Sequence, residues 1–270
     1  MDQPPILVRL TQQELRELSR AKALLENPGL TARLAGAVGR PIEQGFKLLP
    51  AGWQNVVHKA AKAALLAALN AAVTTLNGRP SPRAANGFHK FLVGASGGLG
   101  GAFGLASLPV ELPVSTTLML RSIADVARSE GHDLRLAETK LACLEVFALG
   151  GRSSTDDAAD SAYWGVRTAL AKAVSEAASY LAEKAVFEES APAVLRLVTA
   201  IASRFGVVVS EQTAAKAVPV LGAAGGAIVN VLFMNHFQDM ARGHFIVRRL
   251  EQKYGSAVVR RTYESIAVPC

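Results

Sequence analysis

The sequence predicts an all-α protein, a multi-helix bundle whose central helices or hairpins are glycine-rich and closely packed. Apolar residues recur at helical spacing over most of the chain, and no set of segments alternates with the period of two that marks strands. Hydrophobic residues make up 50% of the 270 residues and charged residues only 19%, against about 25% in ordinary globular proteins. Because aromatic residues account for just 6%, the helices are expected to pack through small side chains.

The N-terminal part of the sequence predicts three helices. Thr11 and Glu14 have the spacing of a capping box, which predicts a helix over 12–26 that ends at an Asn-Pro-Gly turn. A shorter helix is expected over 30–38. A long alanine-rich helix is expected over 53–76, where a glycine follows and ends it.

The stretch over 94–123 is expected to organise the bundle. It opens with six glycines in eleven residues, passes through a Pro-Val-Glu-Leu-Pro corner and enters a helix predicted over 113–129. Glycines spaced four apart, such as Gly97 and Gly101, place bare backbone on one face of a helix, so that a second helix can approach closely. A second apolar segment rich in small residues, 217–234, is expected to play the same part.

The glycine-rich stretch does not fit a nucleotide-binding loop or a hydrolase motif. GASGGLGG lacks the Gly-Lys-Ser/Thr ending of a P-loop, and Phe103 takes the place of the third glycine of the dinucleotide-binding pattern. The residues around Ser96 have Gly-x-Ser-x-Gly spacing, but that motif requires the strand-to-helix turn of an α/β sheet. Since no sheet is predicted, these glycines are expected to serve helix packing.

The rest of the sequence predicts further helices on either side of a polar segment. Residues 152–190 begin with an acidic, polar stretch and continue into a helix with charges spaced around it, so they are expected to form an insertion or an exposed arm. GVVVS, 206–210, predicts a short extended piece or a turn. We expect one compact domain, in which a basic helical segment over 1–78 precedes a core over 79–270. The remaining predicted helices cover 135–149, 192–204, 211–217, 219–253 and 257–266.

The net charge of +7 is concentrated in one region. Residues 27–93 contain eight basic residues and a single acid, so this region alone accounts for the excess. Lys59 and Lys62 lie on the alanine-rich helix, and Arg79 and Arg83 lie in the linker that follows it. Either a solvated basic face or an anionic membrane surface explains this charge. Nucleic acid is not predicted, because no aromatic-interleaved basic stripe or helix-turn-helix pattern accompanies it.

Cysteine usage and hydropathy predict a cytoplasmic protein. Cys143 and Cys270 form neither a disulfide framework nor a zinc site, which fits a reducing compartment. The opening MDQPPILVRL lacks the apolar region of a signal peptide. Two uncharged stretches, 91–110 and 217–235, are long enough to span a bilayer, but glycine and alanine contribute little transfer free energy. They are expected to form a buried hairpin, with membrane insertion as the alternative.

Polar side chains within the apolar runs form the candidate functional core. Because a buried carboxylate or guanidinium requires a partner, each is expected to lie in a polar network. The spacings of Arg121 with Asp125 and of Asp239 with Arg242 allow ion pairs along one helix. The candidate core residues are Glu111, Thr116, Arg121, Glu145, Asn230, His236, Asp239, Arg242 and His244.

A metal-dependent hydrolase is one alternative function for this core. His236 and Asp239 share a helix face, and with Glu111 or Glu145 they would supply the imidazole and carboxylate ligands that suit zinc, iron or manganese. The helical metal-binding patterns HExxH and ExxH are absent from the sequence. A structural polar network is therefore the preferred interpretation, and no metal or cofactor is predicted.

Three segments share a pattern of glycines, prolines and a few polar residues: Gly104–Leu134 with its apolar corner, Leu141–Gly151, and Val218–Gly255. This pattern resembles the EcsC protein family, which is named for its association with an ABC-transporter operon. The resemblance implies a mostly helical, cytoplasmic or membrane-associated protein and brings no established reaction. We therefore expect a non-enzymatic accessory protein at the cytoplasmic membrane face, whose partner is an anionic membrane surface or a membrane protein such as an ABC transporter. The alternatives are a metal-dependent hydrolase and an integral membrane protein.

Overall fold

The computed structural model describes residues 10–26, 30, 33–35, 42–76, 108–150, 162–184, 188–217 and 222–267. Within these ranges the chain is helical and contains no strand, which confirms the all-α prediction. The helices are α1 (Gln12–Glu26), α2 (Ile42–Lys47), α3 (Trp53–Thr75), α4 (Leu108–Ser129), α5 (Ala137–Leu149), α6 (Ala162–Glu183), α7 (Pro192–Ala217), α8 (Gly222–Tyr254) and α9 (Ser256–Ser265).

Helix α5 lies at the centre of the described bundle. Every side chain from Thr139 to Ala148 is buried, and α5 contacts α3, α4, α6, α7 and α8. A helix with buried side chains on all its faces is surrounded by other elements, as is typical of a core helix. The glycine-rich stretch 94–107, which the sequence analysis expected at the centre, lies outside the described residues.

Four phenylalanines join α5, α7 and α8. Phe147, Phe205, Phe233 and Phe237 are fully buried. Neighbouring rings in this cluster have centroids 5.0 to 6.3 Å apart and meet at inclined or perpendicular angles. Such edge-to-face pairs each contribute about 0.5–1.5 kcal/mol beyond the area that they bury. These few aromatic residues therefore concentrate where the three helices meet.

Helix α7 is continuous through a segment that the sequence analysis assigned to an extended piece or a turn. The buried residues Ile201, Phe205, Val208, Val209 and Gln212 recur at helical spacing and face the bundle. Branched side chains lower helix propensity only slightly. Burial of this stripe outweighs that preference, so the prediction of a break over 206–210 was wrong.

Helix α4 begins five residues earlier than predicted. Pro109 lies in its first turn, where backbone N–H groups have no partner within the helix, so that the missing N–H of proline costs no hydrogen bond. Pro113 lies inside the helix and therefore removes one backbone hydrogen bond. The Thr117 hydroxyl donates to the Pro113 carbonyl at 2.8 Å. The Pro-Val-Glu-Leu-Pro corner is thus the first part of α4, and it places Glu111 in the first turn.

Helix α6 forms the second half of the polar segment 152–190. Tyr163, Trp164, Val166 and Leu170 are buried on one of its faces, and the helix packs against α5 and α7. Residues 151–161, which contain the acidic stretch, lie outside the described residues. The helical half of this segment therefore contributes to the bundle.

The capping box at the start of α1 is confirmed, and its glutamate also binds side chains at the end of α8. The Thr11 backbone N–H donates to the Glu14 carboxylate at 2.8 Å, and the Glu14 N–H donates to the Thr11 hydroxyl at 3.3 Å. Glu14 also accepts hydrogen bonds from Lys253 Nζ and the Tyr254 hydroxyl, each at 2.7 Å. The hydrogen bonds from Lys253, Tyr254 and Thr11 lower the pKa of Glu14 to about 2. The same carboxylate therefore caps α1 and fastens it to the end of α8.

Close helix contact through glycine occurs at Gly243, where α8 crosses α1. A β-carbon built at this position would lie 2.7 Å from Leu25 Cγ and 3.0 Å from the Ala21 carbonyl oxygen. We expect Gly243→Ala to separate these helices and destabilise the protein by about 1–3 kcal/mol, the usual range for overpacking. Thermal melting or urea unfolding measures this effect.

Gly206 in α7 provides a matched control for this prediction. Nothing lies within 4 Å of a β-carbon built there. Gly206→Ala should therefore leave the fold intact and raise stability by up to about 1 kcal/mol through helix propensity. Equal melting temperatures for the Gly243 and Gly206 variants would contradict the close contact.

Candidate functional site

Three groups of polar side chains lie along α8 in the described interior. This helix carries Asn230, His236, Asp239 and His244, four of the residues predicted from the sequence. They are spread along the helix, and each group joins α8 to a different set of helices.

The first group surrounds Glu111 at the start of α4. Lys216 Nζ donates to Glu111 Oε1 at 2.5 Å, and Asn230 Nδ2 donates to the same oxygen at 3.2 Å. Gln212 Nε2 donates to Asn230 Oδ1 at 2.7 Å. The group therefore ties the start of α4 to the end of α7 and the start of α8.

Electrostatics favour this arrangement of the first group. A carboxylate in the first turn of a helix interacts favourably with the positive end of the helix dipole. Lys216 lies close to the last carbonyls of α7, where a cation is favourable for the same reason. Burial lowers the pKa of Lys216, although Glu111 opposes that shift. Thr116, one turn further along α4, is buried, and its hydroxyl has no hydrogen-bond partner among the described residues.

The second group surrounds His236. Its Nε2 lies 3.0 Å from the Gly150 carbonyl oxygen, and because a carbonyl only accepts, Nε2 carries the hydrogen. Nδ1 then holds a lone pair, and it has no hydrogen-bond partner within the described part of the chain. Burial lowers the pKa of His236 to about 4. Asp239, one turn on, pairs with Arg33 at 2.8 Å.

The third group connects α5, α6 and α8. Arg167 donates two hydrogen bonds to the Glu251 carboxylate, at 3.0 and 2.9 Å, and one to the Tyr163 hydroxyl at 3.4 Å. The Tyr163 hydroxyl lies 3.1 Å from His244 Nδ1. His244 Nε2 faces Glu145 Oε2 at 3.6 Å. The group is a continuous polar chain from Arg167 to Glu145.

Burial decides the charge states in this chain. One hydrogen bond joins the Tyr163 hydroxyl and His244 Nδ1, and its direction depends on the tautomer of His244. Burial holds the pKa of His244 well below its ordinary value. It raises the pKa of Glu145 and that of Tyr163. Burial therefore favours the neutral form of all three side chains.

A family model for the EcsC protein family matches residues 12–250, which is most of the chain. The chain belongs to the EcsC protein family. The match includes all three segments on which the sequence resemblance was based, except for the last five residues, and it extends back to α1. No curated protein and no solved structure matches the chain.

The structure distributes the other predicted residues of this EcsC-family chain differently. Arg121 is exposed on α4, and Asp125 pairs with Arg128 at 2.7 Å. Arg242 is half-buried. Lys59 is exposed and Lys62 half-buried on α3. Arg79, Arg83 and Cys270 lie outside the described residues.

Five members of the first and third groups were not predicted from the sequence. Gln212 could have been found, because it is the polar residue on the apolar stripe of α7. The others belong to charged or polar helix faces that look solvated in the sequence, and only the packing of α6 and α7 against α8 brings them to the groups. The five are Tyr163, Arg167, Gln212, Lys216 and Glu251.

The three groups do not combine into a metal centre. Within the described ranges, no three His, Cys, Asp or Glu side chains come together as metal ligands. Asp239 is paired with Arg33, whereas Glu111 and Glu145 belong to the first and third groups. Cys143 is buried in α5, and burial raises the pKa of its thiol to about 12. The metal-dependent hydrolase therefore has no support from the described residues.

Two described helices, α3 and α7, are long and apolar enough to cross a membrane. Each also packs against α5 in the bundle, and the core helix of a soluble protein meets the same criteria of length and composition. The stretch 91–110, named from the sequence as a possible span, lies mostly outside the described residues. In the second stretch, 217–235, the described residues are Ala217, which ends α7, and 222–235, which form the start of α8.

Proposed function

We propose that this EcsC-family protein is a non-enzymatic accessory protein that acts at the cytoplasmic face of a membrane and is held there reversibly by anionic lipid. The observation that carries the proposal is helix α3. It runs for 23 residues without an acid, and Lys59 is exposed on its outer side with Lys62 half-buried one turn on. Helix α3 therefore presents positive charge that no acidic side chain on the same helix neutralises.

The surrounding charge supports the same proposal. Lys47 is exposed at the end of α2, immediately before α3. Glu43 on α2 is the single acid among residues 27–93, and Glu111 at the start of α4 is paired with Lys216. Each basic side chain near an anionic bilayer contributes about 1 kcal/mol. A few such residues suffice for binding that salt can reverse.

The interior supports a structural rather than a catalytic role for the predicted polar core. Glu111 faces Lys216, Asp239 faces Arg33 and Glu251 faces Arg167. The Glu111 and Glu251 pairs fix how the helices pack, because breaking either one leaves a buried charge without compensation. The partnership with an ABC transporter is part of the proposal and rests on the operon association for which the family is named.

Co-sedimentation with vesicles tests the membrane proposal. We expect the protein to bind phosphatidylglycerol vesicles at low salt and to dissociate as salt increases, because the Debye length falls from about 30 Å at 10 mM to about 8 Å at physiological ionic strength. Lys59→Glu/Lys62→Glu should weaken binding by at least about tenfold, since four units of charge change next to the lipid. Neutral phosphatidylcholine vesicles should bind little protein.

A charge-matched variant controls for the change in net charge. Lys172 on α6 and Arg261 on α9 are exposed and lie outside α2 and α3. Lys172→Glu/Arg261→Glu changes the net charge by the same amount and should bind nearly as well as the wild type. If the fraction of bound protein changes neither with salt concentration nor in either double variant, the electrostatic proposal is overturned. Cellular protein that resists carbonate extraction would favour the integral membrane alternative instead.

A further inference from the structure

One end of the bundle is defined by contacts already described, and we call it the α4–α8 pole. Glu111 at the start of α4 contacts Lys216 near the end of α7 and Asn230 near the start of α8. Gly45 of α2 lies directly against the carbonyl of Ala214, also near the end of α7. The pole therefore contains the starts of α4 and α8, the end of α7 and the corner between α2 and α3.

Exposed apolar side chains concentrate at this pole. The exposed fractions are 55% for Leu48, 38% for Val56, 73% for Val110, 51% for Val114 and 49% for Ile228. Leu48 and Val56 belong to the corner between α2 and α3, Val110 and Val114 lie one turn apart on α4, and Ile228 lies in the second turn of α8. Apolar residues scattered singly over a surface are ordinary, but a cluster on one end of a protein marks an interaction site.

The same corner carries a stacked aromatic pair. Phe46 of α2 and Trp53 of α3 have ring centroids 5.6 Å apart, and both are half-buried. Tryptophan is enriched where a protein meets the boundary between water and lipid, because its ring is apolar and its N–H is polar. Lys47 directly follows Phe46 in the chain, and Lys59 lies six residues after Trp53.

We propose that the α4–α8 pole is the part of the protein that enters the bilayer, with its exposed apolar side chains at the level of the lipid headgroups and upper acyl chains. This inference rests on the proposed function and adds to it an orientation and an apolar component. The occupant is an anionic bilayer rather than another protein, because apolar and basic side chains are exposed together. Leu48 follows the exposed Lys47, and Val56 lies one turn from Lys59 on α3, a helix without an acid. Elements that lie in the interface in this way bury their apolar face about 5–10 Å deep.

Tryptophan fluorescence tests the orientation directly. The chain contains two tryptophans. Trp53 lies at the pole, whereas Trp164 is buried in α6 against Tyr263 of α9. With phosphatidylglycerol vesicles that contain brominated lipid, we expect the bound protein to lose a large part of its Trp53 emission and the remaining emission to move to shorter wavelength. Trp53→Phe should bind but show almost no quenching.

A pair of matched variants tests the apolar contact itself. Leu48 at the pole and Leu136, in the turn between α4 and α5, are each 55% exposed. Leu48→Asp should reduce vesicle binding by at least about tenfold, since it replaces an inserted apolar side chain with a charge that the bilayer disfavours. Leu136→Asp introduces the same charge at an equally exposed leucine away from the pole, and it should bind as the wild type does.

The fraction of protein bound and the quenching are measured in the same sample, which separates the two proposals. Bound protein with no quenching of Trp53, or equal binding by the Leu48 and Leu136 variants, would overturn the insertion of the pole and leave the electrostatic proposal standing. No binding at any salt concentration would overturn both. If Trp53 is already shielded from iodide without vesicles, the pole is covered by another part of the chain or by a second copy, and the insertion is wrong.

Discussion

Acidification below pH 6.5 is expected to destabilise this protein steeply, and buried histidines are the reason. His132, His236 and His244 are 4%, 3% and 0% exposed. Burial lowers the pKa of each, to about 4 for His236. Well above pH 6.5 the three imidazoles are neutral in the folded and the unfolded chain, so they add no pH dependence there.

Below that pH the unfolded chain takes up protons that the folded chain cannot. Each histidine then lowers the free energy of unfolding by about 1.4 kcal/mol per pH unit until its folded pKa is reached. For His236 alone, the interval from 6.5 to about 4 corresponds to roughly 3 kcal/mol. Glu145 acts in the opposite sense, because burial raises its pKa and its protonation favours the folded state. The three histidines together outweigh it.

Urea unfolding at a series of pH values between 7.5 and 4.5 measures this effect. His244→Gln should reduce the pH slope by about 1.4 kcal/mol per unit, whatever it does to stability at neutral pH. Gly206→Ala changes no titratable group and is expected to leave the slope unchanged. A wild-type slope near zero between pH 6.5 and 5 would show that the buried imidazoles are protonated in the folded protein.

The second large effect is expected from the buried ion pair of Arg167 and Glu251. Their side chains are 18% and 10% exposed, and the shortest N–O distance is 2.9 Å. Arg167 also lies over the rings of Tyr163 and Trp164, 5.4 and 5.0 Å from their centroids. Arg167→Met should cost about 3–5 kcal/mol, because it leaves the Glu251 carboxylate buried without its cation.

An exposed pair of the same length provides the control. Arg196 and Glu176 are also 2.9 Å apart, but their side chains are 63% and 34% exposed. Arg196→Met should cost no more than about 1 kcal/mol, the usual range for a surface salt bridge. Urea unfolding of both variants at pH 7.5 measures the difference. Similar losses of stability would mean that solvent reaches the Arg167 pair as freely as the surface pair.

Charged side chains in the interior of the bundle are paired with each other across helices. Glu111 and Glu251 each come from one helix, and their cations Lys216 and Arg167 each come from another. Paired charges in a protein interior resist rearrangement more than apolar contacts do, because any other packing leaves a charge alone. In a bundle built largely from alanine and small side chains, these pairs help to select one arrangement of the helices.

Periodicity in the sequence was sufficient to locate most helices. The capping box at Thr11 and Glu14 and the alanine-rich helix α3 were predicted within a residue or two, because their signals are local. Prediction failed where a local signal competed with burial. GVVVS at 206–210 reads as extended by composition, but it continues the buried stripe of α7.

The sequence by itself determined the fold class, the helices with regular apolar spacing, the family and which polar residues interrupt apolar runs. Only the tertiary structure decided the partners of those residues. Asp239 pairs with Arg33, which is far away in the chain, although Arg242 lies at favourable helical spacing. Glu111 and Lys216 meet because α4 starts where α7 ends. The reason is physical: helix formation depends on neighbours within about four residues, whereas the partner of a buried charge depends on which faces of distant helices are brought together.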